Sequence, residues 1–129
     1  MTDNEDLAID VLLIEDDEQF LDMYRMRLER DGYRVHTATD GEQGLKLAGE
    51  LQPGIVFLDI RLPKMDGFEV LRRLRADETT AGVPVVILTN YGEQEMVDRG
   101  LKLGALEFLV KAHTTPVELS EGIEAWLKE

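Results

Sequence analysis

The chain has 129 residues, 43% of them hydrophobic, enough for one domain with a sizeable core and too few for two ordinary ones. Its 14 basic and 27 acidic side chains give a net charge of −13, which argues against unaided nucleic-acid binding because such a surface repels phosphate backbones. It has no cysteine, so disulfides and thiolate metal sites are excluded; no cationic apolar leader or membrane-length run is present, and a cytoplasmic protein is expected.

In chain order, residues 1–7 read as a disordered acidic tail and the domain runs over 8–129. Ile9-Asp10-Val11-Leu12-Leu13-Ile14 is a nearly continuous apolar strand that stops on Glu15-Asp16-Asp17. Phe20, Leu21, Tyr24 and Leu28 repeat at helical spacing until Asp31-Gly32 ends the helix, with Asp17 at its start as an N-terminal charge facing the helix dipole. Arg34-Val35-His36-Thr37-Ala38 alternates weakly, as a short edge strand does. Asp40-Gly41-Glu42-Gln43 is a helix start in which Gln43 can reach back in the manner of a capping box, and Leu45, Ala48 and Leu51 supply the apolar face.

The middle of the chain carries the plainest signal. Pro53-Gly54 leads into Ile55-Val56-Phe57-Leu58, an apolar run that reads as a strand buried on both faces and ends on Asp59. A turn-rich loop, Arg61-Leu62-Pro63-Lys64-Met65, precedes a second capped start at Asp66, which makes Asp66 a cap and not a ligand; the helix packs through Val70, Leu71 and Leu74. Val83 to Leu88 forms the next strand, ending in Thr89-Asn90. A looser helix from about Gly92 carries Met96, Val97 and Leu101 and closes at Gly104. Ala105 to Val110 is the fifth strand, ending in Lys111, and Thr115-Pro116-Val117-Glu118 opens a last helix with Leu119, Ile123, Trp126 and Leu127 on its stripe. His36 and His113 lack carboxylate or histidine partners at ligand spacing and read as exposed or loop residues; Trp126 and Met96 read as core.

Strands alternating with helices call for a parallel sheet covered on both faces, of the flavodoxin-like doubly wound order 2-1-3-4-5. That order brings the carboxyl ends of strands one, three, four and five to one rim, where Glu15, Asp16, Asp59, Thr89 and Lys111 converge. Carboxylates held close raise one another's pKa unless a cation neutralises them, and a site of one or two carboxylates completed by water and phosphate oxygens suits Mg2+ better than calcium. With Lys111 and the Thr89 hydroxyl as donors to an incoming anion, the set fits phosphoryl transfer through an aspartyl-phosphate on Asp59.

Leu13-Ile14-Glu15-Asp16-Asp17, Phe57-Leu58-Asp59-Ile60-Arg61-Leu62-Pro63-Lys64-Met65-Asp66-Gly67, Val86-Ile87-Leu88-Thr89 and Phe108-Leu109-Val110-Lys111 together closely resemble the receiver domains of two-component response regulators, over about residues 8–127. The resemblance implies that Asp59 takes a phosphoryl group from a sensor histidine kinase or a phosphotransfer protein. Asp16, Asp59 and the backbone carbonyl of Arg61 would ligate Mg2+, with Glu15 acting through water. Thr89 would bond the phosphoryl oxygen, Lys111 would pair with it, and Phe108 would turn inward as Thr89 moves. A downstream protein target would then be met by the face built from about Tyr91 to Trp126. The only catalysis expected is the chain's own phosphoryl acceptance and loss, in a monomer or homodimer that touches neither DNA nor membrane.

The chain departs from the family at several positions. Phe108 stands where tyrosine is frequent, so the switch works by packing alone, and Ala112 follows Lys111 where proline is usual, which can set the loop at His113 and Thr114 differently. Asn90 replaces a small residue, and with Arg61 and Tyr91 it flanks the opening to the site, an arrangement expected to slow attacking water. A phosphatase of the dehalogenase type wants a second aspartate where Arg61 stands. A flavodoxin wants phosphate donors where Glu15-Asp16-Asp17 would repel phosphate. The remaining alternative is a phosphorylation-independent receiver-like adaptor. The last helix ends with the sequence, so a stand-alone receiver is the expectation.

Overall fold

The structure, a computed structural model, describes residues 8–128; the expected tail over residues 1–7 lies outside them. The elements are β1 (Asp10–Ile14), α1 (Glu18–Arg30), β2 (Arg34–Ala38), α2 (Gly41–Leu51), β3 (Ile55–Leu58), α3 (Gly67–Ala76), β4 (Val85–Thr89), α4 (Gln94–Lys102), β5 (Glu107–Val110) and α5 (Pro116–Leu127), with a single 3-10 turn over Lys111–His113. All strand pairs are parallel and the order is β2-β1-β3-β4-β5, a flavodoxin-like doubly wound sheet as expected.

The near-continuous apolar runs sort onto two faces because successive strand side chains point to opposite sides. Leu12, Ile14, Val56, Leu58, Val85 and Ile87 meet Ala48 of α2 and Val70, Leu71 and Leu74 of α3 on one face. Val11, Leu13, Ile55, Phe57, Val86 and Leu88 meet Leu21, Tyr24 and Leu28 of α1 and Leu119 and Ile123 of α5 on the other. Trp126 belongs to this second core, edge-on to Phe57 with ring centroids 5.9 Å apart.

The helix starts follow from their caps. The side chains of Asp17, Asp40, Asp66 and Thr115 each accept a first-turn amide, and Thr115 and Glu118 complete a reciprocal capping box. Gln43 departs from the expected pattern: its Oε1 accepts from the amide of Thr39, at 2.9 Å, one residue before the cap, so two amides are still satisfied. Glu69 turns instead to Arg72 and Arg73 on its own helix.

Two other expectations are corrected. His36 does have a carboxylate partner, Asp10, whose Oδ1 lies 3.0 Å from its Nε2. The contact runs diagonally between parallel strands in which Asp10 pairs with Arg34 and Leu12 with His36, a register that no spacing along the chain reveals. Leu101, expected on the apolar face of α4, is 45% exposed. The small side of α4 faces the sheet at Gly100, where an added Cβ would lie 2.6 Å from Ile87 and 3.2 Å from Phe108.

Candidate phosphoacceptor site

Four strands that end at the rim deliver the polar groups, β1 two of them and β3, β4 and β5 one each. Glu15 leaves β1 with its amide donating to Ala38 O at 2.9 Å, and its carboxylate accepts the Asp17 amide at 3.0 Å, which ties it to the start of α1. Asp59 leaves β3 with its amide on Ile14 O, and its Oδ1 accepts the amide of Ile60 at 2.7 Å. Gly67 opens α3 directly against this backbone. A Cβ there would lie 2.2 Å from Asp59 O, so only glycine lets the helix approach, and the Gly67 amide donates to Ile60 O at 2.7 Å.

Lys111 closes the set. Its ammonium lies 3.1 Å from Asp59 Oδ2 and also pairs with Glu15 Oε1, and the three residues are almost fully buried. Asp16 is exposed beside them, yet carboxylate oxygens of Glu15, Asp16 and Asp59 lie within 4.8 Å of one another. Burial pushes the Glu15 carboxyl up to about 7, with the Asp59 charge adding to the effect and the bond from Lys111 opposing it. Lys111 is held above its ordinary value, because its pairing with Glu15 and Asp59 outweighs the burial that pulls it down.

Thr89 ends β4 fully buried, and its Oγ1 is the only buried side-chain polar atom among the described residues without a hydrogen-bond partner. Such a hydroxyl costs about 1–3 kcal/mol in a folded chain, a cost that an acceptor arriving at the rim removes. Phe108 on β5 is half-buried against the core and against Gly100. The Arg61 guanidinium stacks on the ring of Tyr91, 4.1 Å from its centroid, and Asn90 is exposed next to it. The peptide bonds of the described residues are all trans, including that between Lys111 and Ala112. His113 is exposed in the 3-10 turn.

The structure therefore brings Glu15, Asp16, Asp59, Thr89 and Lys111 to one rim, and Arg61 and Tyr91, which follow two of its strands, stack on each other. Two aromatics that the sequence reading placed simply on the helix stripe also reach the rim. Phe20 presents its ring face to the Lys111 ammonium at 4.5 Å, and Tyr24 lines the small cavity bounded by Glu15, Phe57 and Asp59. The signal for them was there in the spacing, two aromatics one helical turn apart.

The donor set suits a hard divalent cation. Three carboxylates crowd one point, while the one ammonium among them is divided between two. Glu15, Asp16 and Asp59 would hold such an ion.

A doubly wound sheet with an acid triad and a lysine at its carboxyl rim defines the class, and the comparisons agree. The model of the response regulator receiver domain matches residues 11–124, and the chain belongs to that family. The DNA-binding dual master transcriptional regulator RpaA of Synechocystis is 45% identical over 101 residues, which cover 78% of this chain and 42% of that protein. The alkaline phosphatase synthesis transcriptional regulatory protein PhoP of Bacillus subtilis is 36% identical over 118 residues, covering 92% of this chain and 48% of that one. The chain thus spans less than half the length of either relative. Among solved structures, a CheY-like receiver domain protein from Methanospirillum hungatei superposes with a TM-score of 0.87 at 28% identity, covering 94% of each chain. The receiver domain of a sensor histidine kinase from Pseudomonas aeruginosa, solved with magnesium coordinated in its active-site cleft, gives 0.85 at 29% identity, covering 95% of this chain and 99% of that one.

Proposed function

We propose that this receiver is a phosphorylation-controlled binding module that accepts a phosphoryl group on Asp59 from a phosphohistidine of a sensor kinase or phosphotransfer protein. The observation that carries the reading is the buried Lys111 ammonium shared by Glu15 and Asp59, with the unpaired Thr89 hydroxyl at the end of the adjoining strand. A carboxylate oxygen of Asp59 forms the new O–P bond as the P–N bond of the donor breaks. The electron pair returns to the ring nitrogen, and a donor ring already carrying a proton leaves as neutral imidazole.

Lys111 stands where the transferred group's negative charge accumulates, and the Thr89 hydroxyl is free to donate to one of its oxygens. Glu15, Asp16, Asp59 and the backbone carbonyl of Arg61 are the groups that would hold Mg2+. Bound there, the ion offsets the crowded carboxylates and the incoming phosphoryl charge. Once Thr89 engages the phosphoryl group, Phe108 follows inward over Gly100.

The output is a changed protein contact on the face formed by α4, β5 and α5. Leu101, Leu106 and Val117, on or beside these elements, are 45%, 38% and 40% exposed, an apolar offering on an otherwise acidic surface. Catalysis is limited to the chain's own phosphoryl acceptance and loss. The acidic surface keeps these residues off DNA. No helix among the described residues is long and apolar enough to cross a membrane.

The test is intact-mass spectrometry after incubation with magnesium and acetyl phosphate, set against Asp59→Asn and a metal-free control. One adduct that requires both Asp59 and magnesium supports the reading. No adduct from the wild type favours a phosphorylation-independent adaptor.

A further inference from the structure

Lys111 begins a segment with little to cover it, since Ala112 and His113 are both exposed. Two bonds tie the segment to itself: the Thr114 amide donates to Lys111 O at 3.2 Å, and Thr114 Oγ1 donates to Val110 O at 3.0 Å. A third comes from far away in the chain. The hydroxyl of Tyr24 on α1 donates to Thr114 O at 3.2 Å, across a sequence separation of 90 residues.

Tyr24 is only 3% exposed, and its ring lies beside that of Phe20 with planes 18° apart. Phe20 in turn sets its face 4.5 Å from the Lys111 ammonium. Two aromatics one helical turn apart on α1 thus grip both ends of the same residue, Phe20 at the tip of the side chain and Tyr24 through the loop that follows its backbone. Burial pushes the Tyr24 phenol up, so at neutral pH it remains a donor.

Glu15 and Asp59, the anionic partners of Lys111, are the groups whose charge the phosphoacceptor reaction engages. They alone cannot keep Lys111 in one place while that reaction changes their bonding. A ring face and a hydroxyl-to-carbonyl bond do not change with it.

We propose that Phe20 and Tyr24 are positioning residues for Lys111, a strap from α1 that holds the 3-10 turn and aims the ammonium at the rim. The proposal rests on the phosphoacceptor reading for its catalytic consequence, and on geometry alone for its structural one.

Tyr24→Phe deletes one hydroxyl and keeps the ring. With magnesium and saturating acetyl phosphate, its phosphorylation rate is expected to fall about two- to tenfold, the span that one neutral hydrogen bond accounts for. The half-saturating donor concentration should stay unchanged. In a Lys111→Ala background the same substitution should cost nothing further, because its effect passes through Lys111. Phe20→Leu, which keeps an apolar side chain and loses the ring face, should show the same dependence on Lys111.

A second arm needs no phosphoryl chemistry: hydrogen exchange at the Thr114 amide should speed up in Tyr24→Phe by more than at the amides of the central strands, which report the global loss of stability. An equal loss of rate in the Lys111→Ala background would mark a general structural effect and overturn the proposal, as would unchanged protection at Thr114. If the wild type takes no phosphoryl group at all, the phosphoacceptor reading fails, and the exchange arm still decides whether the strap exists.

Discussion

The ammonium of Lys111 lies 3.1 Å from Asp59 Oδ2, joining the ends of two strands that stand 52 residues apart in sequence. The same ammonium pairs with Glu15, so one buried cation is shared by two buried carboxylates. Removing one member of such a cluster strands the others, which is more costly than never having built it.

Lys111→Ala should therefore destabilise the metal-free protein by about 3 kcal/mol, the lower end for a broken buried pair, because Glu15 is already pushed up to about 7 and can take a proton. Magnesium should restore part of the loss by replacing the missing positive charge. Urea unfolding with and without magnesium checks both, and a variant that magnesium does not stabilise more than it stabilises the wild type would contradict the assignment of the acid cluster.

Thr89→Val is expected to separate stability from function. It replaces the unpaired hydroxyl by a methyl of similar shape, which should leave the resting protein as stable or up to about 1 kcal/mol more so. Phosphorylation should slow, since the donor to the phosphoryl oxygen is gone. Denaturation midpoints and adduct formation followed by mass give the two readings; a destabilised variant would mean that Thr89 has a partner in the resting state.

We infer that the stack of Arg61 on Tyr91, three and two residues beyond the ends of β3 and β4, narrows the approach to Asp59. Tyr91→Ala frees the guanidinium, and Asn90→Ala opens the adjoining wall. Each should shorten the lifetime of the phosphoryl adduct, Tyr91→Ala by about two- to fivefold if the stack is worth the usual exposed cation–π energy. Decay of the adduct after donor removal is the measurement, and an unchanged or longer lifetime would show that water enters elsewhere.

Asp31 gives the pH dependence. Its carboxyl is held below its ordinary 3.8 chiefly by the hydrogen bond from Ser120, at 2.5 Å, with Arg27 adding to the effect. A carboxyl depressed in the folded state contributes stability above its unfolded pKa and loses it as pH falls through the folded one. The link between α1 and α5 should accordingly weaken below pH 3.8 and not on the alkaline side. Asp31→Asn should flatten the acid limb of a stability profile; an acid limb identical to that of the wild type would show the link to be idle.

Sequence by itself determined the strands, most helix boundaries and the membership of the rim. Runs such as Val11-Leu12-Leu13-Ile14 and Ile55-Val56-Phe57-Leu58 can be satisfied only by burial on two faces, and each is broken by an acid at its end. Caps such as Thr115 with Glu118 act within one turn, so local chemistry suffices to read them. Once parallel order is assumed, the convergence of Glu15, Asp16, Asp59, Thr89 and Lys111 follows from chain direction alone.

What tertiary structure decided are the contacts that depend on register and on which way a helix is turned. His36 meets Asp10 because of how β2 slides against β1, and Leu101 points to solvent because Gly100 turns to the sheet. The division of the Lys111 charge between Glu15 and Asp59, the solitude of the Thr89 hydroxyl and the reach of Tyr24 to Thr114 O are of the same kind. Distances of a few ångströms between residues 52 or 90 positions apart are set by the packing of whole elements, and a linear pattern of side chains carries no record of them.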